Sequence, residues 1–171
     1  MQDGDVAPIV RRVAERALAL AANGAWSAAG RDEVIEALRP LRGTTTTTIE
    51  IGDGEAAHAT IFPLRRGAVL PLHDHPAMTV ICKVLDGRMR IESFEWIDEQ
   101  SGIARNLGAT DVDADSDPIV FGPEPGRLHR IVALTDCTFL DLFAPWYDDE
   151  RPCRYYRETG SRLEPTGEVA P

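Results

Sequence analysis

Between Ala59 and Tyr156 the chain is cut into short apolar or alternating runs, each bounded by Gly, Pro, Asp or Asn. Ala59-Thr60-Ile61-Phe62, Met78 to Leu85, Met89 to Trp96, Ile119-Val120-Phe121, Leu128 to Leu134, Thr138 to Phe143 and Arg154-Tyr155-Tyr156 all have this form. Many short strands with regular turn signals predict an all-β sandwich or barrel. Asp86-Gly87 closes one run with a hairpin-type dipeptide, and the β-branched run Thr44 to Thr48 reads as a further strand. Only the first part departs from this pattern. Ile9, Val10, Val13, Ala14, Ala17, Leu18 and Ala21 recur at helical steps after Pro8, with Asn23-Gly24 as a stop. A second short helix carries Val34, Ile35 and Leu38 and ends near Pro40. The expected organisation is a pair of helices in residues 1–43 packed on a barrel domain of residues 44–158, followed by a loose C-terminal tail, 159–171.

A chain of 171 residues is long enough to bury one proper core. Its 18 basic and 28 acidic residues give a formal net charge of −10. That balance disfavours nucleic acid, whose phosphates need cations. No apolar run approaches the length of a membrane span, and the first ten residues do not have the pattern of a signal peptide. Three widely spaced cysteines, Cys82, Cys137 and Cys153, form neither a disulfide framework nor a zinc cluster pattern. A cytoplasmic protein with reduced thiols and no membrane partner is expected.

The stretch Leu70-Pro71-Leu72-His73-Asp74-His75-Pro76-Ala77-Met78 holds two of the four histidines. On an extended strand residues i and i+2 share a face, so His73 and His75 project together and Asp74 points away. Spacing alone leaves two readings open: half of a metal site, or two solvent histidines between turn-forming prolines. The frame Gly67-x5-His73-x-His75-x4-Val80-x6-Gly87 resembles the first motif of the cupin superfamily, a small double-stranded β-helix with a metal-binding His pair. Val80 stands where that motif has a glutamate ligand. Gly126-Arg127-Leu128-His129 fits the second cupin motif, with Ala133 at its terminal Asn position, and implies His129 as a third ligand. His58 has no such frame and reads as an ordinary strand or loop histidine. Three neutral imidazoles leave a bound Fe(II) with its full charge, which favours an anionic donor such as a thiolate; zinc also accepts such a set.

Leu70 to Gly87 as a whole resembles the thiol dioxygenase family that contains cysteamine dioxygenase and the plant cysteine oxidases. The likeness continues through Arg90 to Trp96, Gly126 to His129, Leu140 to Tyr147 and Arg151 to Tyr156. It implies a non-haem Fe(II) enzyme that adds both atoms of O2 to a 2-aminothiol, either cysteamine or an N-terminal cysteine, to give a sulfinic acid. It implies His73, His75 and His129 as iron ligands. Trp146, where the family often has a second proline, and Pro152 depart from its pattern and bear on substrate size.

Four further residues are candidates for the chemistry. Asp141 lies in an otherwise apolar strand, where a carboxylate is costly unless bonded. It reads either as a group that orients a ligand histidine or the substrate amine, or as a structural partner. The Tyr147 phenol is placed to bond iron-bound oxygen or substrate, or only to pack at the rim. Cys153 and Tyr155, two residues apart, match positions that become crosslinked through sulfur in some thiol dioxygenases, with ordinary packing as the alternative. Cys82 and Cys137 read as small core residues and Asp148-Asp149-Glu150 as a solvated loop. Two other readings stay open: a cupin enzyme of different chemistry, such as a non-thiol dioxygenase or isomerase, and a non-catalytic cupin ligand-binding module.

Overall fold

The computed structural model describes residues 7–52, 56–122 and 128–169. Two helices, α1 (Ala7–Ala19) and α2 (Ala28–Leu38), precede eleven strands. These are β1 (Ile49–Ile51), β2 (His58–Leu64), β3 (Val69–Asp74), β4 (Thr79–Asp86), β5 (Arg88–Asp98), β6 (Ile103–Asp113), β7 (Ile119–Phe121), β8 (Leu128–Ala133), β9 (Cys137–Ala144), β10 (Arg154–Thr159) and β11 (Arg162–Val169). One sheet has the order β1-β2-β9-β4-β7; the other strands close into a ring, β10-β11-β6-β5-β8-β3. Every pairing is antiparallel. This is the all-β double-stranded helix with two N-terminal helices that the sequence predicts.

Alternation along the central strands explains the layering. Ile81, Leu85, Leu140 and Leu142 face one way and meet Val10, Ala14 and Ala17 of α1 and Val34 and Leu38 of α2. The helical positions 10, 14 and 17 form one stripe, as a sheet-packed helix requires. Ser27 caps α2, its Oγ accepting from the Gly30 amide at 3.1 Å. Val80, Cys82, Val84, Phe139 and Phe143 face the other way and meet Met89, Ile91, Ile131 and Ala133 of the ring. Strands β4 and β9 are therefore covered on both faces, and β9 is buried throughout. The ring has a core of its own, Leu72, Phe94, Leu128, Tyr156 and Leu163. Strands β3, β5 and β8 are thus a shared wall, with alternate residues serving each core.

Among the described residues Lys83 is the one lysine or arginine buried in this layering. Its ammonium donates to the Ala114 and Ser116 carbonyls at 2.6 and 2.7 Å and ties β4 to the loop after β6. Arg39 and Arg42 pair with Asp117 and Asp115 of the same loop.

Two local expectations fail, and one strand was not anticipated. Thr44 to Thr48 is not a strand; the Thr45 hydroxyl donates to the Thr47 carbonyl in a side-chain turn, and pairing begins at Ile49. The tail expected to be loose forms β11, which pairs with β10 and touches β6 at Arg162↔Ile103. Strand β6 was missed because it buries only Val112 and so has no apolar alternation to read.

Gly87 is where the fold leaves no room for another residue. It has φ +74°, and a Cβ there would lie 2.1 Å from the Asp136 carbonyl oxygen and 2.8 Å from the Cys137 Cα. Both obstacles are backbone, so neither can move aside. Gly87→Ala is expected to destabilise by more than about 2 kcal/mol, read as a lower urea midpoint; an unchanged midpoint contradicts this account of the β4–β5 turn.

Candidate metal centre

The antiparallel register of β3 and β8 places His73 directly opposite His129, where cross-strand Cβ atoms lie about 5 Å apart. His75 comes one residue past the end of β3, not on the strand itself. Its ring still returns to the same side, 4.8 Å from the His73 ring and 4.8 Å from the His129 ring. One ring nitrogen from each of the three lies within 4.8 Å of the others, and all three residues are buried. His58 is not part of this group. It begins β2, is buried, and stacks on Trp146 at 4.0 Å. Gly126 and Arg127 of the second motif lie outside the described residues.

Hydrogen bonds fix which nitrogens face the centre. His73 Nδ1 lies 2.7 Å from the Pro71 carbonyl oxygen, an acceptor only, so Nδ1 carries the proton and Nε2 is bare. The Tyr147 hydroxyl lies 3.2 Å from the Asp74 carbonyl and 2.5 Å from His75 Nδ1. One phenol proton serves both contacts only if His75 Nδ1–H donates to Tyr147 and Tyr147 donates to Asp74. His75 Nε2 is then also bare, and it faces His129 Nε2 at 3.3 Å. Nitrogens bound to one metal at about 2.1 Å and 3.3 Å apart subtend about 105°, a normal angle between neighbouring ligands. The residues fit a metal held by three neutral imidazoles. Burial works the same way, lowering the proton affinity of His73 and, with the other two rings, pushing that of His75 well down.

Around the triad the wall is aromatic. Phe121 lies 4.2 Å from the His129 ring, Phe143 and Tyr147 each 5.9 Å from His75, and Tyr155 6.2 Å from His73. Trp146 packs on Phe143 and Tyr147 from outside.

The other expected site residues fall into place unevenly. Asp141 points to the same interior as Phe143, opposite Cys82 in register. Its carboxylate accepts a hydrogen bond from the Cys82 thiol, which keeps its proton, and its Oδ1 has no hydrogen-bond partner. It orients neither His73 nor His75, whose Nδ1 atoms bond Pro71 and Tyr147. Burial raises its pKa to about 7. Tyr147 turns its hydroxyl to His75 and Asp74, with the Cys153 thiol beside it. Burial pushes that thiol up to about 11. Cys153 precedes β10 and lies close enough to Tyr155 to help raise that phenol, after burial. Two participants went unread in the sequence, Asp74 and Tyr156, joined by a hydrogen bond of 2.9 Å. Asp74 sits in the quoted motif, but alternation assigned it to the outer face.

Because Tyr147 sets the tautomer of His75, Tyr147→Phe is expected to weaken metal binding by about 10- to 100-fold. Competition with a chelator checks this, and full-strength binding removes the orienting role. His73→Ala is expected to abolish stoichiometric metal uptake, measured by elemental analysis.

Residues 26–170 match the PCO_ADO family model. Over 105 residues the chain is 36% identical to plant cysteine oxidase 2 of Arabidopsis thaliana, covering 56% of this chain and 38% of that protein. It is 33% identical over 116 residues to a probable 2-aminoethanethiol dioxygenase of Dictyostelium discoideum, covering 63% and 53%. It is 31% identical over 137 residues to the 2-aminoethanethiol dioxygenase of Mus musculus, covering 65% and 54%. The chain spans between 38% and 54% of the length of these relatives. The family match runs from just before α2 through every strand that builds the triad, and by it the chain belongs to the PCO_ADO family.

Proposed function

We propose that this protein is a non-haem Fe(II) thiol dioxygenase acting on a 2-aminothiol, with His73, His75 and His129 holding the iron. The observation that carries this reading is a buried site of three imidazoles with no carboxylate ligand among the described residues, set in an aromatic chamber. Iron(II) bound there supplies the electron-transfer chemistry that lets dioxygen react with a thiolate. The net change, R–SH + O2 → R–SO2H, places both oxygen atoms on sulfur and needs no added reductant.

The chain's own groups have separate tasks in this reading. His73 and His75 present bare nitrogens and stay uncharged, so a bound Fe(II) would keep its charge and favour an anionic sulfur. Phe121, Phe143 and Tyr155 keep bulk water from the reacting atoms. Asp141, with an unpartnered oxygen in the same interior, receives the substrate ammonium. Among the described residues, Lys83, Arg130 and Arg151 are engaged by loop carbonyls, by Glu92 and Glu158, and by Asp148. None of these three is left for a substrate carboxylate, which favours cysteamine or an N-terminal cysteine over free cysteine. Cys153 and Tyr155 are the pair proposed for a sulfur crosslink, read as a mass loss of two hydrogens on a peptide holding both.

Incubation of iron-loaded protein in air with cysteamine, free cysteine and a short Cys-initiated peptide is the direct test. A gain of two oxygen atoms on cysteamine or the peptide, absent without iron, is expected; no gain on any thiol with iron bound overturns the reading. The Asp141 carboxyl is half-ionised near pH 7, and only its ionised form holds an ammonium. The specificity constant, kcat/KM, is therefore expected to rise with pH to about 7 through this group. Asp141→Asn is expected to remove that limb and leave any limb from thiol ionisation; an unchanged profile removes Asp141 from amine binding.

A further inference from the structure

Asp74 lies between two of the triad histidines and is completely buried. A buried carboxylate is costly unless its oxygens are bonded, and here both are. Oδ1 accepts from the Arg154 amide at 3.0 Å, and Oδ2 accepts from the Tyr156 phenol at 2.9 Å. Its backbone carbonyl accepts from Tyr147.

The residue between those two donors is Tyr155. Strand β10 meets β3 at a single backbone pair, Tyr155↔His73. Elsewhere along this seam no ladder sets the register, and the Arg154 amide finds its acceptor in a side chain instead of a strand carbonyl. Alternation turns Arg154 and Tyr156 to one face of β10 and Tyr155 to the other, where its ring lies 6.2 Å from His73. The carboxylate thus grips the strand on both sides of Tyr155, from behind the chamber.

We propose that Asp74 is a positioning residue: by holding β10 on β3 it sets Tyr155 against His73, and through its carbonyl it sets Tyr147 against His75. For its effect on turnover, this rests on the thiol dioxygenase reading above. Asp74 touches no reacting atom; it acts through the two tyrosines that wall the site.

The chain has three tyrosines, at 147, 155 and 156, so protein labelled with 3-fluorotyrosine gives three fluorine resonances, assignable by Tyr→Phe variants. Zinc-loaded full-length protein is diamagnetic and suits the measurement. Asp74→Ala is expected to shift and broaden the Tyr155 and Tyr147 signals, and Asp74→Asn, which keeps one acceptor oxygen, to do so less. Tyr156→Phe is expected to move Tyr155 alone. In iron-loaded enzyme, Asp74→Asn is expected to lower kcat/KM for cysteamine by about 10- to 100-fold. Leu38→Ala, which loosens the helix-facing core away from Asp74 and β10, is the control: it lowers the urea midpoint but leaves the Tyr155 signal and KM in place. If Asp74→Asn lowers the midpoint like Leu38→Ala and leaves the Tyr147 and Tyr155 resonances unmoved, Asp74 is structural only and the proposal fails. Wild-type protein that oxidises no thiol overturns the functional reading, while the fluorine spectra still decide whether Asp74 places the tyrosines.

Discussion

The antiparallel pairing of β3 with β8 sets His73 opposite His129, and the three-histidine cluster follows from that register. Side chains alternate with period two, so a slip of one residue would turn every side chain of β3 to the opposite face. His73 would then enter the ring core and Leu72 the chamber. The register is held by burial on both sides of the wall, since Leu72 and Leu128 fill the ring core while the histidines face the first sheet. Packing in one compartment therefore fixes chemistry in the other.

Polar groups within this wall are satisfied mostly by backbone and phenol partners. His73 bonds a carbonyl, His75 a phenol, and Asp74 an amide and a phenol. Neutral or single-charge bonds of this kind avoid the desolvation cost of taking two opposite ions out of water. Asp141 is the exception. One oxygen is left bare, its nearest donor is a thiol, and its proton affinity rises accordingly. An incompletely bonded carboxylate in a packed interior is unfavourable for stability, as groups reserved for a ligand often are.

How much of this was legible in the sequence depended on the kind of signal. The His-x-His spacing, the frame of glycines around it and the apolar runs of β4 and β9 were readable because two-sided burial leaves a dense pattern. Residues such as β6 and β11 were not readable, since strands with both faces largely exposed carry no alternation. The threonine run misled for the opposite reason: β-branching favours strand, but the Thr45 hydroxyl bonds its own neighbourhood. Asp74 escaped because alternation gives a direction and not a destination. Its outer face turned out to be the inside of a second core, which only the closure of β10 and β11 creates. The Tyr147–His75 bond joins residues 72 positions apart, beyond any local pattern.

The three imidazoles are mounted on, or one residue beyond, strands that are ordered by hydrophobic packing and not by the ligand. In small zinc domains metal affinity is largely folding free energy, and removing the metal unfolds the chain. Here the two processes are separable. Metal added to the folded chain contributes a stabilisation that grows only with the logarithm of its free concentration. Each side of the wall has an apolar core of its own, so the packing that orders these strands does not wait on a ligand.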